Sequence, residues 1–200
     1  MKVSRGGSHL LSVIPPPTTA TPLGQAACAA TAGADLTSIY ERYFHEVERW
    51  LRALGAPPSE IADLAQEVFL IVRRKLGGFD GRNTPGWLYA IAERTWKDHR
   101  RRSWFRRFFS RSEPLLDVDP PSRAVDPERA YEVSESWALA DKVLATMDER
   151  RRVAFVLFEI EGYTGEEIAS LQSVPVATVW TRLHKARREF IEGLARLTEE

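Results

Sequence analysis

Near its C-terminus the sequence predicts two helices joined by a three-residue turn, a pattern that few folds accommodate. Thr164-Gly165-Glu166-Glu167 has the Thr-x-x-Glu spacing of a capping box, in which side chains and backbone at a helix start bond each other reciprocally. Gln172-Ser173-Val174 forms the predicted turn, and Pro175 can open the second helix. Because a tight turn sets the second helix at a steep angle, its polar face can enter a DNA major groove. We therefore predict a helix-turn-helix over Tyr163–Arg188.

The second of these helices has two distinct faces at the α-helical angle of about 100° per residue. One face is apolar, with Val176, Val179, Leu183, Ala186 and Phe190. Thr and Arg side chains near the helix start can reach base edges, and later Lys and Arg can meet phosphates. An ordinary helical hairpin with a solvated basic face is the alternative. The polar face holds Thr178, Thr181, Arg182, Lys185 and Arg188, with Trp180, His184 and Arg187 at its boundary.

The rest of the chain is also helical in pattern, because apolar residues recur at spacings of three and four and no segment alternates like a typical strand. Tyr40 belongs to the apolar stripe of the first helix and is expected inside. The run Val153–Ile160 could pass for a strand, but capping at both ends favours a buried helix. The first predicted helices are Leu36–Leu54 ended by Gly55, 59–76 capped by Ser59 and stopped by Gly77-Gly78, and one with Thr84 as N-cap and Pro85 as its first residue. Later helices are predicted from near Val133 and from a cap at Asp148 through Ile160, the latter ended by Gly162.

Charge is segregated along the chain, although the formal net charge of zero, taken alone, argues against a nucleic-acid binder. Residues 94–111 carry eight basic side chains against one acid, and residues 112–135 carry seven acids against two basic ones. Prolines interrupt the acidic segment. The sequence therefore predicts an all-α protein of two small helical domains, 35–109 and 133–197, joined by a flexible acidic linker over 110–132. Residues 1–34 lack periodicity and are expected to form a disordered tail, with a misassigned start as the alternative.

Catalysis has little support in the sequence. The four histidines show no metal-ligand or triad spacing, and no Gly-rich phosphate loop is present. The single cysteine, Cys28, cannot form an internal disulfide. The apolar patch Leu10–Ile14 is ended by prolines and is too short for a secretory signal or a membrane span. We expect a cytoplasmic protein with no catalytic residue, metal, cofactor or small-molecule substrate.

The third helix predicts a surface for single-stranded nucleic acid. Trp87, Leu88, Ile91 and Thr95 face one way in helical projection, and Tyr89, Trp96 and Arg100 lie together on the opposite side. Aromatic rings beside cations on an exposed helix can stack bases and meet phosphates. A basic amphipathic stretch that touches a membrane or covers the core is the alternative. For the cluster Trp104–Phe109 these two interpretations are equally supported.

The second helix carries an unusual outer face. Asp63, Gln66, Glu67 and Leu70 fall together opposite its apolar stripe. A leucine among carboxylates suggests a protein contact, because the carboxylates can pair with Arg or Lys on a partner. A solvated face with one exposed leucine is an equal alternative.

These segments, over roughly residues 36–194, resemble the extracytoplasmic-function (ECF) sigma factors, two-domain members of the bacterial sigma superfamily. Asp63–Phe69 looks like the segment of that family that binds core RNA polymerase. Phe79–Arg82 and Trp87–Ala92 are similar to the segment that melts and reads the promoter −10 element. The −35-reading helix-turn-helix is matched by Glu166–Ala169, Val174–Val179, Arg182-Leu183-His184 and Ala186-Arg187.

The resemblance implies a role for each matching position. Asp63, Gln66, Glu67 and Leu70 would dock on the coiled coil of the polymerase β′ clamp. The loop from Phe79 through Asp80, Arg82 and Asn83 would help hold a flipped −10 base, and Tyr89, Trp96, Lys97, Arg100 and Arg101 would line the single-strand path. The side chains implied to meet duplex −35 DNA are Thr178, Trp180, Thr181, Arg182, Lys185, Arg187 and Arg188.

The family also implies partners for the chain. These are core RNA polymerase, through the β′ clamp helices and the β flap, promoter DNA, and an anti-sigma factor that can hold the protein at the membrane. The linker would thread near the polymerase active centre. The chain departs from the family pattern at Thr146-Met147, where Leu-Pro is usual, at Ser173 and Ala177, where Gly is frequent, and at Trp180, where Lys or Arg is frequent. A stand-alone regulator that binds duplex DNA as a dimer, or a helical adaptor without DNA binding, is the alternative function.

Overall fold

A computed structural model describes residues 35–109 and 138–198, and these residues form helices without any strand. The all-α prediction is therefore confirmed, while the predicted tail and the predicted linker lie outside the described residues. The helices are α1 (Leu36–Leu54), α2 (Ile61–Lys75), α3 (Thr84–Phe109), α4 (residues 138–146), α5 (Glu149–Phe155), α6 (Gly165–Gln172) and α7 (Val176–Thr198). Short 3₁₀ turns, Pro58–Glu60 and Leu76–Gly78, flank α2, and a π-helical turn, Val156–Ile160, continues α5.

Several helix ends form as the sequence predicts. Gly55 ends α1 with a left-handed φ of 89°, and its N–H donates to the Arg52 carbonyl at 2.9 Å. A side chain would strain this conformation, which glycine adopts freely. The Asp148 side chain accepts from the backbone N–H of Arg150 at 3.1 Å, which confirms it as the cap of α5. Gly162, with φ 75°, follows the π-helical turn.

Two predicted N-caps are wrong. Ser59 does not cap α2, because Pro58 opens a 3₁₀ turn and the α-helix begins only at Ile61, without a side-chain cap bond. Thr84 is not the cap of α3, because Asn83 takes that place. The Asn83 side-chain oxygen accepts from the Gly86 N–H at 3.1 Å, and Asn83 has φ 42°. Asparagine tolerates this left-handed backbone better than threonine does.

The core is built from the apolar stripes that the sequence predicts. Trp50, Leu64 and Leu88 are fully buried where α1, α2 and α3 meet. Phe155 and Phe190, with ring centroids 4.7 Å apart, join α5 to α7. The predicted buried helix over Val153–Ile160 is confirmed, except that its second half is π-helical and partly exposed at its end.

The N-terminal helices, α1–α3, pack directly against the C-terminal helices, α4–α7. The contacts join α1 to α5 and its π-helical turn, and α3 to α6. The side chains of Trp50 and Tyr163 meet at this boundary in a 3.0 Å hydrogen bond. Within residues 35–109 and 138–198, no helix is long and apolar enough to cross a membrane.

Candidate polymerase and nucleic-acid interfaces

Helix α7 presents a basic face to solvent. Its apolar residues Val179, Leu183 and Phe190 are buried, which turns the predicted polar face outward. Val176, expected inside, is exposed because it stands at the first residue of the helix. Of the predicted DNA-facing residues, Thr181, Lys185, Arg187 and Arg188 are exposed, and Thr178 and Arg182 are half-buried.

The capping box and a tight turn position this face. Thr164 N–H donates to the Glu167 carboxylate at 2.8 Å, and Glu167 N–H donates to Thr164 Oγ1 at 3.2 Å, so the predicted capping box is confirmed. Ser173 adopts a left-handed backbone, φ 53°, where the chain leaves α6. Glycine, frequent in the family at this place, would take that conformation with less strain. The turn is nevertheless formed, and α7 begins three residues later.

Trp180 joins α6 to α7, although 42% of it is exposed. Its ring lies edge-on to Phe158, with centroids 5.4 Å apart. It also covers Gly165, because a Cβ built there would stand 2.6 Å from the Trp180 ring. The indole therefore has a packing role in addition to any DNA contact, and glycine at residue 165 allows the close approach.

Replacing Gly165 with alanine is expected to lower the free energy of unfolding by about 1–3 kcal/mol, because the added methyl overlaps the Trp180 ring. Urea denaturation followed by circular dichroism measures the change. In a Trp180→Ala background the same substitution should cost less than half as much. Gly77→Ala is the control, since no atom lies within 4 Å of a Cβ at that position. An equal loss at Gly77 and Gly165 would contradict the Trp180 contact.

The loop before α3 is held in a fixed shape. Phe79 stacks on Trp87 with ring centroids 4.1 Å apart and planes 13° apart. The Asp80 carboxylate accepts from the Arg82 N–H at 2.9 Å. Asn83 caps α3 with its side-chain oxygen and donates from its side-chain nitrogen to the Ser170 carbonyl at 3.0 Å. The loop thus sets Asp80, Arg82 and Asn83 at the start of the helix that was predicted to follow single-stranded DNA.

The expected exposure of the aromatic residues on α3 is wrong. Tyr89 is 4% exposed and Trp96 is also buried, whereas Arg100 and Arg101 are exposed as predicted. Tyr89 packs edge-on to Trp50, with ring centroids 5.9 Å apart, and faces Gln172 of α6. Burial, with Glu93 nearby, raises the pKa of the Tyr89 phenol well above its usual value. For Tyr89 the physical reason is that Trp50 of α1 and Gln172 of α6 lie against it, while Trp96 stacks on His99 of its own helix with ring centroids 6.0 Å apart.

Cations along α3 are paired with acids. Lys97 Nζ lies 2.7 Å from the Glu93 carboxylate and 3.5 Å from that of Glu149. Arg100 pairs with Glu149 at 3.0 Å. Arg101 pairs with Asp98 at 3.3 Å on its own helix.

The outer face of α2 forms the third surface. Asp63 and Gln66 are exposed, and Leu70 is 51% exposed, so the predicted face lies in solvent. Glu67 is half-buried, and its carboxylate accepts from Arg102 of α3 at 3.0 Å. A shallow groove of about 400 Å³ runs beside Leu70.

Comparison with known proteins identifies the family of the chain. Residues 39–106 match the family model for sigma-70 region 2, and residues 138–190 match the model for sigma-70 region 4. The chain is 30% identical over 171 residues to the RNA polymerase sigma-H factor of Pseudomonas aeruginosa, covering 80% of this chain and 86% of that protein. This chain is an ECF sigma factor. It gives RNA polymerase promoter specificity and is not itself an enzyme.

Two further proteins extend the comparison. The ECF sigma factor SigE of Mycolicibacterium smegmatis is 28% identical over 162 residues, covering 81% of this sigma factor and 62% of that protein. The structure of the sigma factor RpoE in complex with the anti-sigma factor NepR, from Bartonella quintana, aligns with a TM-score of 0.56 at 18% identity. It covers 80% of this chain and 97% of that one. At that identity the structural likeness establishes the shared fold.

The α2 groove contains residues that the sequence patterns did not single out for this sigma factor. Tyr40 was expected inside and is 42% exposed instead, because its ring leans on Phe44 and Phe69 at the rim, with centroids 5.0 and 4.9 Å apart. The groove is lined by Leu36, Thr37, Tyr40, Gln66, Phe69, Leu70 and Arg73. The sequence could have predicted this groove only if the apolar stripe of α1 had been placed next to the outer face of α2. That placement requires knowing how the two helices cross.

Proposed function

We propose that each of the three surfaces of this sigma factor binds a different partner during promoter recognition. The outward face of α7 reads duplex −35 DNA, the loop Phe79–Asn83 and α3 hold single-stranded −10 DNA, and the outer face of α2 docks on polymerase. Residues 35–109 and 133–197 act as the two domains, and residues 110–132 connect them through the polymerase. The observation that carries the assignment is the exposed basic face of α7 behind a confirmed capping box.

Docking on core polymerase is assigned to the groove beside Leu70. The groove presents exposed apolar surface from Tyr40 and Leu70, and the exposed carboxylate of Asp63 lies on the same face of α2 outside the groove lining. A helical partner with apolar and basic side chains, as the β′ clamp helices provide, suits this combination. The β flap would receive the C-terminal helices.

Leu70→Ser is expected to weaken binding to core polymerase by about tenfold, because burying a leucine side chain in an interface contributes about 1.5 kcal/mol or more. The fold should be unaffected, since half of Leu70 is already in solvent. Surface plasmon resonance with immobilised core enzyme gives the affinity. Ile191→Ser, at another exposed apolar residue, is the matched control and should bind normally. Equal affinity of the two variants would contradict the assignment.

Capture of a −10 base is assigned to the loop Phe79–Asn83 and to the cations of α3. A flipped base costs a few kcal/mol to unstack, and a fitted pocket on the protein offsets that cost. Selection from a random single-stranded oligonucleotide pool tests the assignment. Enrichment of one sequence class is expected with core polymerase present and not with the free protein.

Substituting Lys97 and Arg100 together with alanine should reduce that enrichment. The control, Lys142→Ala with Arg196→Ala, removes the same charge from exposed positions on α4 and α7. Equal enrichment by both double variants would argue against the α3 assignment.

An anti-sigma factor is the proposed regulatory partner. The RpoE structure with which this chain shares its fold contains the anti-sigma factor NepR. We place the sigma factor in the cytoplasm, where an anti-sigma factor with a membrane anchor could hold it. Co-purification of the chain from its native cell tests for such a partner.

A further inference from the structure

The groove beside Leu70 lies where the N-terminal segment of the chain joins the described helices. The buried ring of Phe69 lines it, and Tyr40 and Leu70, which are 42% and 51% exposed, contribute apolar surface. The first two residues of α1, Leu36 and Thr37, line it as well. Residues 1–34 therefore join the described helices within two residues of the groove lining.

Aromatic rings from two helices give the groove its shape. Tyr40 lies edge-on to Phe69 with ring centroids 4.9 Å apart, and Phe44 stacks on Phe69 with centroids 6.0 Å apart. The groove volume of about 400 Å³ is at the small end of the range for binding pockets. Its occupant is therefore a short segment with a few apolar side chains, and a preformed groove binds such a segment at a low ordering cost.

The N-terminal segment contains one run of bulky apolar residues. Four of the five residues in Leu10-Leu11-Ser12-Val13-Ile14 are large and aliphatic. Residues 15–35 separate this run from α1 and can span up to roughly 70 Å, so the tether lets the run reach the groove.

Charge favours the same pairing. Residues 1–34 contain no Asp or Glu, and Lys2 and Arg5 precede the apolar run. The exposed carboxylate of Asp63 lies on the same face of α2, outside the groove lining, and can pair with such a cation. Arg73 lines the groove but is exposed, so its guanidinium can stay in water while its stem meets the apolar run.

A tethered segment suits a groove of this size better than a second copy of the chain does. A stable interface between two proteins takes about 20–30 residues on each side, whereas seven residues line this groove. Docking of a segment of the same chain is intramolecular, with an effective concentration on the order of 1 mM, so a weak contact is sufficient.

We propose that the run Leu10–Ile14 of the same chain docks in the groove beside Leu70 and competes there with core polymerase. The competition rests on the proposed function, which assigns this groove to polymerase. An effective concentration about twice the dissociation constant of the run would cover the groove about two-thirds of the time. The apparent affinity of a competitor then falls about threefold.

Paramagnetic broadening in nuclear magnetic resonance spectra of the full-length protein tests the docking without polymerase. A nitroxide is attached at Ser12→Cys in a chain whose Cys28 is replaced with serine. Docking is expected to broaden the amide signals of Gln66 and Arg73, which line the groove on α2. The same sample with the nitroxide reduced gives the reference intensities.

Substitutions in the segment test which residues dock. Leu11→Ser with Ile14→Ser removes half of the large side chains of the run and should abolish the broadening at Gln66. Val3→Ser with Leu23→Ser is the matched control, because both residues are apolar and lie in the same segment outside the run. This control should keep the broadening.

Substitutions on the folded side test where the segment docks. Leu70→Ser should reduce the broadening at Gln66 by more than half, whereas Ile191→Ser, at an exposed apolar residue of α7, should not. No broadening in the wild type, or equal broadening in the two double variants of the segment, would overturn the proposal. Broadening of Gln66 by a nitroxide on another copy of the chain would assign the groove to a second copy and would also overturn it.

Surface plasmon resonance with immobilised core enzyme measures the competition. The double variant at Leu11 and Ile14 is expected to bind core about threefold more tightly than the wild type. Adding Leu70→Ser to that variant shows its full effect on core binding, because the substitution then has no docked segment to release. Equal core affinity of the double variant and the wild type, with a clear loss on adding Leu70→Ser, would overturn the proposal.

The two assays distinguish failure of the docking from failure of the proposed function. If the broadening appears as expected and Leu70→Ser leaves core affinity unchanged, the assignment of the groove to polymerase fails and the docking of the segment stands. If the broadening is absent and Leu70→Ser still weakens core binding, the docking fails and the polymerase assignment stands.

Discussion

Replacing Arg182 and Lys185 together with alanine is expected to lower the affinity of the polymerase holoenzyme for its promoters by on the order of 100-fold. On α7 Lys185 is exposed and Arg182 is half-buried, and there arginine can bond base edges and lysine can meet phosphate. A loss of about 1–3 kcal/mol at a base-contacting arginine, together with one lost phosphate contact, gives an effect of that size. Gel-shift titration of promoter fragments provides the measurement.

The salt dependence of binding separates the two kinds of contact in the same experiment. Loss of phosphate contacts should reduce the slope of log affinity against log salt by about one unit per contact. The control double variant, Lys142→Ala with Arg196→Ala, removes two exposed charges outside the first turns of α7 and should keep both slope and affinity. Unchanged promoter output from the Arg182 and Lys185 variant would instead favour a helical adaptor that does not bind DNA.

Trp50→Ala is expected to reduce the free energy of unfolding by about 3–5 kcal/mol. The indole is fully buried, packs edge-on to Tyr89 and donates to the Tyr163 hydroxyl at 3.0 Å. Truncation leaves a cavity beside α1 and also removes the hydrogen bond from Trp50 to Tyr163. Both the core and the contact between the N-terminal and C-terminal helices are therefore weakened. Chemical denaturation followed by far-ultraviolet circular dichroism measures the loss.

Trp50→Phe and Ile191→Ala serve as comparisons. Phenylalanine keeps an aromatic ring and loses the hydrogen bond, so an intermediate loss of about 1–2 kcal/mol is expected. Ile191 is an exposed apolar residue, and its truncation should change stability by about 0.5 kcal/mol or less. A loss below about 1 kcal/mol for Trp50→Ala would contradict the packing of this core.

Local signals in the sequence were sufficient to predict the helices and the start of the helix-turn-helix. Gly55, Asp148 and the Thr164–Glu167 capping box act over three or four residues, and each forms as predicted. The wrong caps at Ser59 and Thr84 are errors of one or two residues, where Pro58 and Asn83 impose a backbone that competes with the predicted start.

Contacts between distant parts of the chain could not be predicted in the same way. A helical projection of α3 places Tyr89 and Trp96 opposite the face that holds Trp87, Leu88, Ile91 and Thr95 and so suggests that they face water. Tyr89 is buried because Trp50 of α1 and helix α6, more than 70 residues later, pack beside it. The bond between Arg49 and Glu161 joins residues 112 positions apart, and no periodic pattern contains that information.

The same distinction between local signals and distant contacts applies to the candidate site residues. The outer faces of α2 and α7 were predictable, because Leu70 and Lys185 are exposed whichever helices pack behind them. Tyr40 was missed, because its exposure depends on how α1 crosses α2 next to Phe69. The packing role of Trp180 was missed for a similar reason, since it depends on how closely the backbone of Gly165 in α6 lies to the Trp180 ring.

Reconstituted transcription tests promoter-specific initiation by this chain most directly. Core RNA polymerase lacking any sigma factor is combined with the full-length protein and fragments of its own genome, and transcript 5′ ends are mapped. We predict transcripts that start at defined sites downstream of shared −35 and −10 sequences, and that are reduced with the Leu70→Ser protein. The absence of any promoter-specific transcript, with dimeric binding to palindromic duplex DNA in its place, would contradict the account.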